Sequence, residues 1–181
     1  MPMARTVILS DENGKPLGEA DLRKAHTGKG LLHRAFSVYV FHPDTAKLLI
    51  QRRSAEKMLW PAVWANTCCS HLRPRETVLE AGQKRLQEEM GFTCPLLEGP
   101  SFVYRAEDAD RGVEHEYDTI LLGMADPEKI APNKGEVGEW KWIGIDELLE
   151  DMKRDPLSYA PWFHLGIAII LRKRNEKPSH D

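Results

Sequence analysis

The sequence predicts an α+β fold, an α/β sandwich in which helices flank a mixed β-sheet. Strand-like segments outnumber helical ones, and the helices come singly between groups of strands, which is the pattern of a mixed-sheet sandwich. No linker, internal repeat or low-complexity stretch divides the 181 residues, so one domain spanning residues 1–181 is expected.

Each element follows from local pattern. Arg5–Leu9 reads as a strand, with a turn at Asn13-Gly14 behind it. Ala20–Ala25 reads as a short helix. Arg34–His42 sets Phe36, Val38 and Val40 against Ser37, Tyr39 and Phe41, as in a strand buried on both faces. Pro43-Asp44 turns the chain, and Lys47–Gln51 returns as a second strand. Val63–Cys69 is expected to be a third. Over Glu76–Met90, Leu79, Leu86 and Met90 form one helical stripe, and Gly91 stands where a helix stops. Ser101–Ala106 and Tyr117–Met124 are expected strands, as is Val137–Ile145, with Trp140 and Trp142 on one face. Asp146 is the expected N-cap of a helix over Glu147–Arg154. Pro161 suits the first turn of a last helix running to about Asn175. The cations Arg172–Arg174 and Lys177 read as its solvated end.

Composition narrows the function. An apolar fraction of 41% and a charged fraction of 29% exclude intrinsic disorder. With 25 basic and 28 acidic residues the net charge is -3, so no nucleic-acid partner is expected. The longest apolar stretch, Trp162–Leu171, is interrupted by His164 and falls short of the roughly 18 residues of a membrane span; no stable membrane insertion is expected. Met1–Ser10 lacks the apolar core of a secretory signal. Three cysteines, two of them adjacent, make neither a disulfide framework nor a CxxC zinc pair, and a reduced, cytoplasmic protein is the expectation. The sequence leaves the oligomeric state open.

Four features carry chemistry. In Cys69-Ser70-His71, thiol and imidazole lie two residues apart and share one side of an extended chain. Glu114 and Glu116 likewise share a strand face and can reach one cation, while His115 points away. His26 and His33 flank a Gly- and Lys-rich loop. Singly, each has a structural reading: a buried cysteine beside a surface histidine, a solvated strand end, two unrelated imidazoles. Together, His26, His33, His71, Glu114 and Glu116 make a mixed N/O donor set suited to a divalent ion such as Mn²⁺, Zn²⁺ or Mg²⁺.

The fourth feature is Glu76…Lys84-Arg85-Leu86-Gln87-Glu88-Glu89-Met90-Gly91-Phe92. It is similar to the Nudix signature G-x5-E-x7-R-E-U-x-E-E-x-G-U, U being bulky and apolar. Glu76, Leu86, Glu88, Glu89, Gly91 and Phe92 fit. Ser70 stands for Gly, Lys84 for Arg and Arg85 for Glu. In hydrolases of this type the carboxylates hold the ions that activate water. Arg85 removes one carboxylate and adds a cation, which would grip a diphosphate rather than help to cut it. Arg52, Arg53 and Lys57 offer further phosphate contacts, or are ordinary exposed cations.

Over roughly residues 5–170 the chain resembles the type I isopentenyl-diphosphate Δ-isomerases. The resemblance rests on Ala25-His26-Thr27, Leu32–Ser37, Trp60-Pro61 leading to Trp64, Asn66–His71, Glu88–Gly91, Tyr104-Arg105, Glu114-His115-Glu116 with Asp118, and Ser158–Trp162. It implies a Nudix-like mixed sheet flanked by helices. It also implies interconversion of isopentenyl and dimethylallyl diphosphate, an allylic and homoallylic pair, without hydrolysis. By position His26, His33, His71, Glu114 and Glu116 match the family's divalent-ion ligands, Cys69 its essential cysteine, and Tyr104 with Glu116 the opposing acid group. Glu89 and the backbone carbonyl of Cys69 match a second ion site, for Mg²⁺ arriving with the diphosphate. Arg53, Lys57 and Arg85 match residues near the diphosphate, and Trp162 the aromatic facing the hydrocarbon. Leu72 and Val113 depart from the family pattern, which affects loop shape only.

The chemistry explains the residue types. Protonating an unactivated alkene makes a tertiary carbocation, so an acid on one face and a base on the other are required. A thiolate at Cys69, favoured by a nearby metal or cation, is one candidate base. An indole face stabilises a cation that a nucleophile would trap, and water must be excluded. Two rival readings are a Nudix-type diphosphate hydrolase, in which Cys69 has no evident task, and an inactive diphosphate- or metal-binding module.

Overall fold

The computed structural model describes residues 5–176. A nine-stranded mixed sheet is built around β3 (His33–Phe41). β3 runs parallel to β8 (Gly112–Met124) and antiparallel to β6 (Cys68–His71). β8 in turn pairs with β7 (Leu96–Asp108) in a long antiparallel hairpin. At its two ends β3 touches β1 (Thr6–Ser10) and β4 (Leu48–Arg53). β4 pairs with β5 (Trp64–Ala65) and β9 (Val137–Ile143), and β1 with β2 (Pro16–Asp21).

The alternation read in β3 sorts the core into two layers. Phe36, Val38 and Val40 face a cluster containing Leu86 and Met90 of α2 (Val78–Met90). Tyr39 faces the other way, into a cluster with Leu148 of α3 (Ile145–Arg154) and Phe163 and Ile167 of α4 (Pro161–Glu176). Helices thus cover both faces of a mixed sheet, the predicted sandwich. Among the described residues no helix is long and apolar enough to cross a membrane.

Several local expectations are corrected. Only Leu22–Ala25 is helical (α1), capped by the Asp21 carboxylate, which accepts from Arg23 N and Lys24 N at 2.9 and 3.2 Å. The preceding residues form β2, an exposed edge strand whose side chains lack the apolar alternation that marks a half-buried one. Val63–Cys69 is not one strand. It breaks into β5 and β6 because Asn66 and Thr67 satisfy neighbouring backbone groups in place of a ladder: Asn66 Nδ2 donates to Val38 O and Cys68 O, and Thr67 Oγ1 donates to Leu49 O and accepts from Val40 N. Helix α2 begins at Val78, where Thr77 and Glu80 form a reciprocal capping box. The N-cap of α3 is Gly144, not Asp146, which lies in the first turn and favours the positive end of the helix dipole. β7 and β8 extend well beyond Ser101–Ala106 and Tyr117–Met124. Arg172–Arg174 lie exposed on α4, as expected; Lys177 lies outside the described residues.

Gly91 ends α2 in the left-handed region at φ 77°, donating to Gln87 O. A Cβ there would stand 2.5 Å from Ala131 O, so the backbone closes in where only glycine fits. That turn fixes the end of the helix carrying Glu88 and Glu89.

Candidate active site

Strand register assembles the five predicted metal-site residues. β3 opposes His33 to Glu116 on β8 and Ala35 to His71 on β6. Glu114 lies two residues before Glu116 on the same face, and both are buried, whereas His115 turns outward to Gly30 O, 3.3 Å away. His26, at the C-terminus of α1, comes in from the side. One donor atom from each of the five lies within 4.8 Å of every other. The three imidazole centroids stand 4.8 to 5.1 Å apart.

Backbone carbonyls orient two of these rings. His26 Nδ1 donates to Leu22 O and His33 Nδ1 to Leu31 O, both at 2.7 Å, which directs each Nε2 at the cluster. His26 Nε2 lies 2.9 Å from Glu114 Oε2, and His71 Nε2 2.8 Å from Glu116 Oε1. His33 Nε2 is buried without a hydrogen-bond partner, 3.5 Å from Glu116. An orphaned buried nitrogen facing two carboxylates and two further imidazoles fits a divalent cation, which takes up lone pairs and offsets buried negative charge.

Burial raises the Glu114 carboxyl to about 7, aided by the Glu116 charge and only partly opposed by His26. Burial would lower His26, but the hydrogen bond and charge of Glu114 outweigh it and raise the imidazolium to about 9. Burial dominates at His71 and lowers it to about 4 despite Glu116. Glu116, although buried, is held well below the usual carboxylate range by the nearby His33 and His71, whose Nε2 atoms lie 3.5 and 2.8 Å from its Oε1.

Beside this cluster lies a cavity of about 110 Å³ lined by Cys69, Tyr104, Glu116, Trp162 and Arg53 among others. Cys69 and Glu116 thus share one cleft. Tyr104, opposite Glu116 in the β7–β8 ladder, donates its hydroxyl to Glu116 Oε2 at 2.6 Å. Trp162, in the first turn of α4, donates Nε1 to Asn66 Oδ1 at 3.1 Å and packs edge-on against Trp60. The Arg53 guanidinium lies over the Trp162 ring, 5.1 Å from its centroid, and within 3.9 Å of Cys69 Sγ. Of the expected aids to a Cys69 thiolate, the protein's cations do not suffice: without a metal ion, burial pushes the thiol up to about 12, and Arg53 and Lys57 only partly oppose it.

The second group surrounds Glu89. Its carboxylate accepts from Gln51 Nε2 at 2.6 Å and lies 2.6 Å from Arg85 Nη2 and 3.8 Å from Lys57 Nζ. Glu136 pairs with Lys57 and stands 2.8 Å from Arg85, which also meets Glu88 at 3.2 Å. Arg53 spends donors on Trp60 O and Leu59 O. All three cations expected near a diphosphate line the cavity that holds Cys69, and each is already engaged with protein acceptors. Sequence reasoning missed Gln51 and Glu136, neither of which falls in a motif; only the pairing of β4 with β9 brings Glu136 to the site.

Residues 31–163 match the NUDIX domain family model. The chain is 42% identical over 165 residues to the isopentenyl-diphosphate Delta-isomerase of Burkholderia multivorans, covering 91% of this chain and 92% of that one. The chain belongs to the isopentenyl-diphosphate Delta-isomerase family. A second family member, from Halorhodospira halophila, is 41% identical over 158 residues, covering 87% and 90% of the two chains. Solved structures resemble this isomerase-family chain in fold alone. A Deinococcus radiodurans protein has a TM-score of 0.67 at 16% identity, covering 83% of this chain and 90% of its own. The MutT protein of Methanosarcina mazei has 0.61 at 15%, covering 81% and 96%.

Proposed function

We propose that this protein interconverts isopentenyl diphosphate and dimethylallyl diphosphate by moving a proton across a three-carbon allylic unit. One observation carries the reading: a small cavity has a thiol, Cys69, and a hydrogen-bonded phenol–carboxylate pair, Tyr104–Glu116, in its wall beside the indole of Trp162. In one direction C4 of the alkene gains a proton and C2 loses one. Nothing is oxidised and no proton is consumed, so two proton-carrying groups suffice. Microscopic reversibility makes each serve as acid in one direction and as base in the other.

His26, His33, His71, Glu114 and Glu116 would hold a divalent ion, Mn²⁺, Zn²⁺ or Mg²⁺; Glu89 and the backbone carbonyl of Cys69 would serve a Mg²⁺ bound with the diphosphate. Such ions supply positive charge that stabilises the carboxylates and the substrate's phosphates. Tyr104 holds Glu116 in place and is itself a proton donor at 2.6 Å. The Trp162 quadrupole, already facing Arg53, stabilises positive charge on the carbon skeleton by about 2 kcal/mol in a desolvated site. Burial of Tyr104 and Trp162, 6% and 2% exposed, excludes the water that would trap a carbocation as an alcohol.

Hydrolysis is disfavoured by Arg85. It stands where the hydrolase signature has a carboxylate and neutralises Glu88 and Glu89, the carboxylates that would hold water-activating ions. Incubation with isopentenyl diphosphate and Mg²⁺ in D₂O, followed by proton and phosphorus NMR, distinguishes the readings. Deuterated dimethylallyl diphosphate without free phosphate is expected; free phosphate would mean a hydrolase, and an unchanged spectrum a binding module. Cys69→Ala is expected to abolish turnover with unchanged circular dichroism and melting temperature. A near-normal rate would remove Cys69 from the mechanism.

A further inference from the structure

Two loops meet at the tip of the β7–β8 hairpin. Asp108 ends β7, Gly112 begins β8, and Arg111 N donates to Asp108 O at 2.8 Å within the turn. On one side of the tip Val113 N donates to His26 O at 3.0 Å, which ties a metal-site histidine to the hairpin. A Cβ on Gly112, at φ 151°, would stand 2.6 Å from His26 O and 3.0 Å from Leu59 Cδ2, so glycine lets both loops close in. On the other side the Asp108 carboxylate accepts from Trp60 N at 2.6 Å, across 48 residues of sequence.

Trp60 lies in a strained stretch. Its φ is 45° and that of Ala62 is 60°, both left-handed, with Pro61 between them. Residues with side chains keep that conformation only where their surroundings impose it. Here polar contacts impose it. Trp60 O and Leu59 O accept from Arg53 Nε and Nη2 at 2.9 and 2.8 Å, and Ala62 O accepts from Arg52 Nε at 2.8 Å. Those two arginines reach the stretch from the end of β4; Asp108 holds it to the β7–β8 hairpin.

The indole so held packs edge-on against Trp162, with centroids 5.6 Å apart and planes at 90°. Trp162 shares its cavity with Cys69, Tyr104 and Glu116. Arg53, gripped by the Leu59 and Trp60 carbonyls, lies over the same Trp162 ring and 3.9 Å from Cys69 Sγ. Edge-to-face packing has a preferred geometry, so a displaced Trp60 tilts Trp162 in the cavity wall.

We propose that Asp108, through its bond to Trp60 N, is a positioning residue for isomerisation. It locks Leu59–Ala62 so that Trp60 and Arg53 hold the Trp162 indole at the angle that stabilises positive charge on the substrate's carbons. The catalytic half of this rests on the isomerase reading; the seating of the two indoles does not.

The test compares Asp108→Ala, Asp108→Asn and Arg111→Ala in the full chain. Steady-state isomerisation is measured together with the circular-dichroism couplet of the paired indoles, which Trp60→Phe identifies by removing it. Asp108→Ala is expected to lose the couplet and to lower kcat about tenfold with KM within about threefold, because indole tilt acts on charge present only in the transition state. Asp108→Asn keeps an oxygen that accepts from Trp60 N and is expected to retain the couplet and a kcat within about twofold of wild type. Arg111→Ala removes the exposed cation 3.7 Å from the other carboxylate oxygen and is expected to change neither. Should Asp108→Ala fail to fold, Asp108→Leu fills similar space without an acceptor and carries the same expectations. A wild-type kcat in the acceptor-free variant, a lowered kcat with the couplet intact, or an Asn variant as impaired as the Ala variant would each overturn the inference. So would an Arg111→Ala variant as impaired as Asp108→Ala, since the ion pair and not Trp60 would then be responsible. A wild type that does not isomerise would overturn the isomerase reading, and a couplet lost in Asp108→Ala but kept in Asp108→Asn would still uphold the seating of the indoles.

Discussion

Replacing Glu116 by Gln separates a carboxylate that builds the fold from one that holds an ion. Glu116 accepts from Tyr104 at 2.6 Å and from His71 at 2.8 Å, and its donor atom lies within 4.8 Å of that of Glu114. At an effective dielectric near 20, two full charges at that distance repel by about 3 kcal/mol. An amide removes this repulsion but weakens two charge-assisted hydrogen bonds by about 1 kcal/mol each. The metal-free variant should therefore lie within about 1 kcal/mol of wild-type stability. With a divalent ion at roughly a thousandfold excess over its dissociation constant, the wild type gains about 4 kcal/mol, and a site weakened a hundredfold gains only about 1.4 kcal/mol at the same concentration. For a chain of this length those gains correspond to melting shifts of about 8–16 °C and about 3–6 °C. Thermal unfolding in EDTA, and then in Mn²⁺, Zn²⁺ or Mg²⁺, measures both quantities. A variant already several kcal/mol less stable in EDTA would make Glu116 a structural residue. Equal metal-induced shifts in the two proteins would remove it from the ligand set.

Other outcomes follow from the same coordinates. A proton on His26 competes with a metal ion, and the fold raises that imidazolium from 6.5 to about 9. The stability it lends the metal-free protein is complete below pH 6.5 and lost as pH rises through 9, whereas metal affinity runs the opposite way. Affinity should climb about tenfold per pH unit between 7 and 9 with one proton released, checked by calorimetry in buffers of different ionisation enthalpy; a flat profile would refute the pairing of His26 with Glu114. Gly91→Ala forces a side chain into the left-handed region 2.5 Å from Ala131 O and should cost about 2–3 kcal/mol. Chemical denaturation reads this directly, and a loss below about 0.5 kcal/mol would show that the turn relaxes freely.

The elements legible in the chain were those with strong periodicity. β3 announces both its faces because it is buried on both, and α2 and α4 carry an apolar stripe or a proline start. β2 was missed because an exposed edge strand has no reason to alternate. The β5–β6 break was missed because it depends on Asn66 and Thr67 meeting backbone groups of β3 and β4, which are distant in sequence. For the site, the Cys-x-His and Glu-x-Glu spacings named His71, Glu114 and Glu116, since period-two alternation puts such pairs on one face, while His26 and His33 stood out only as histidines flanking a Gly- and Lys-rich loop.

What the sequence singled out by itself was a set of candidate side chains: three imidazoles, two carboxylates and a thiol from local spacing, and a phenol and an indole from the family resemblance. What only the tertiary structure decided was their mutual distances and their charge states. The parallel register of β3 with β8 sets Glu116 beside His33, and the pairing of β4 with β9 lets Glu136 neutralise the cations of α2 and the Lys57 loop. Burial raises the Cys69 thiol against the pull of Arg53. Those quantities depend on desolvation and on partners dozens of residues away, and neither is written in any window of the chain.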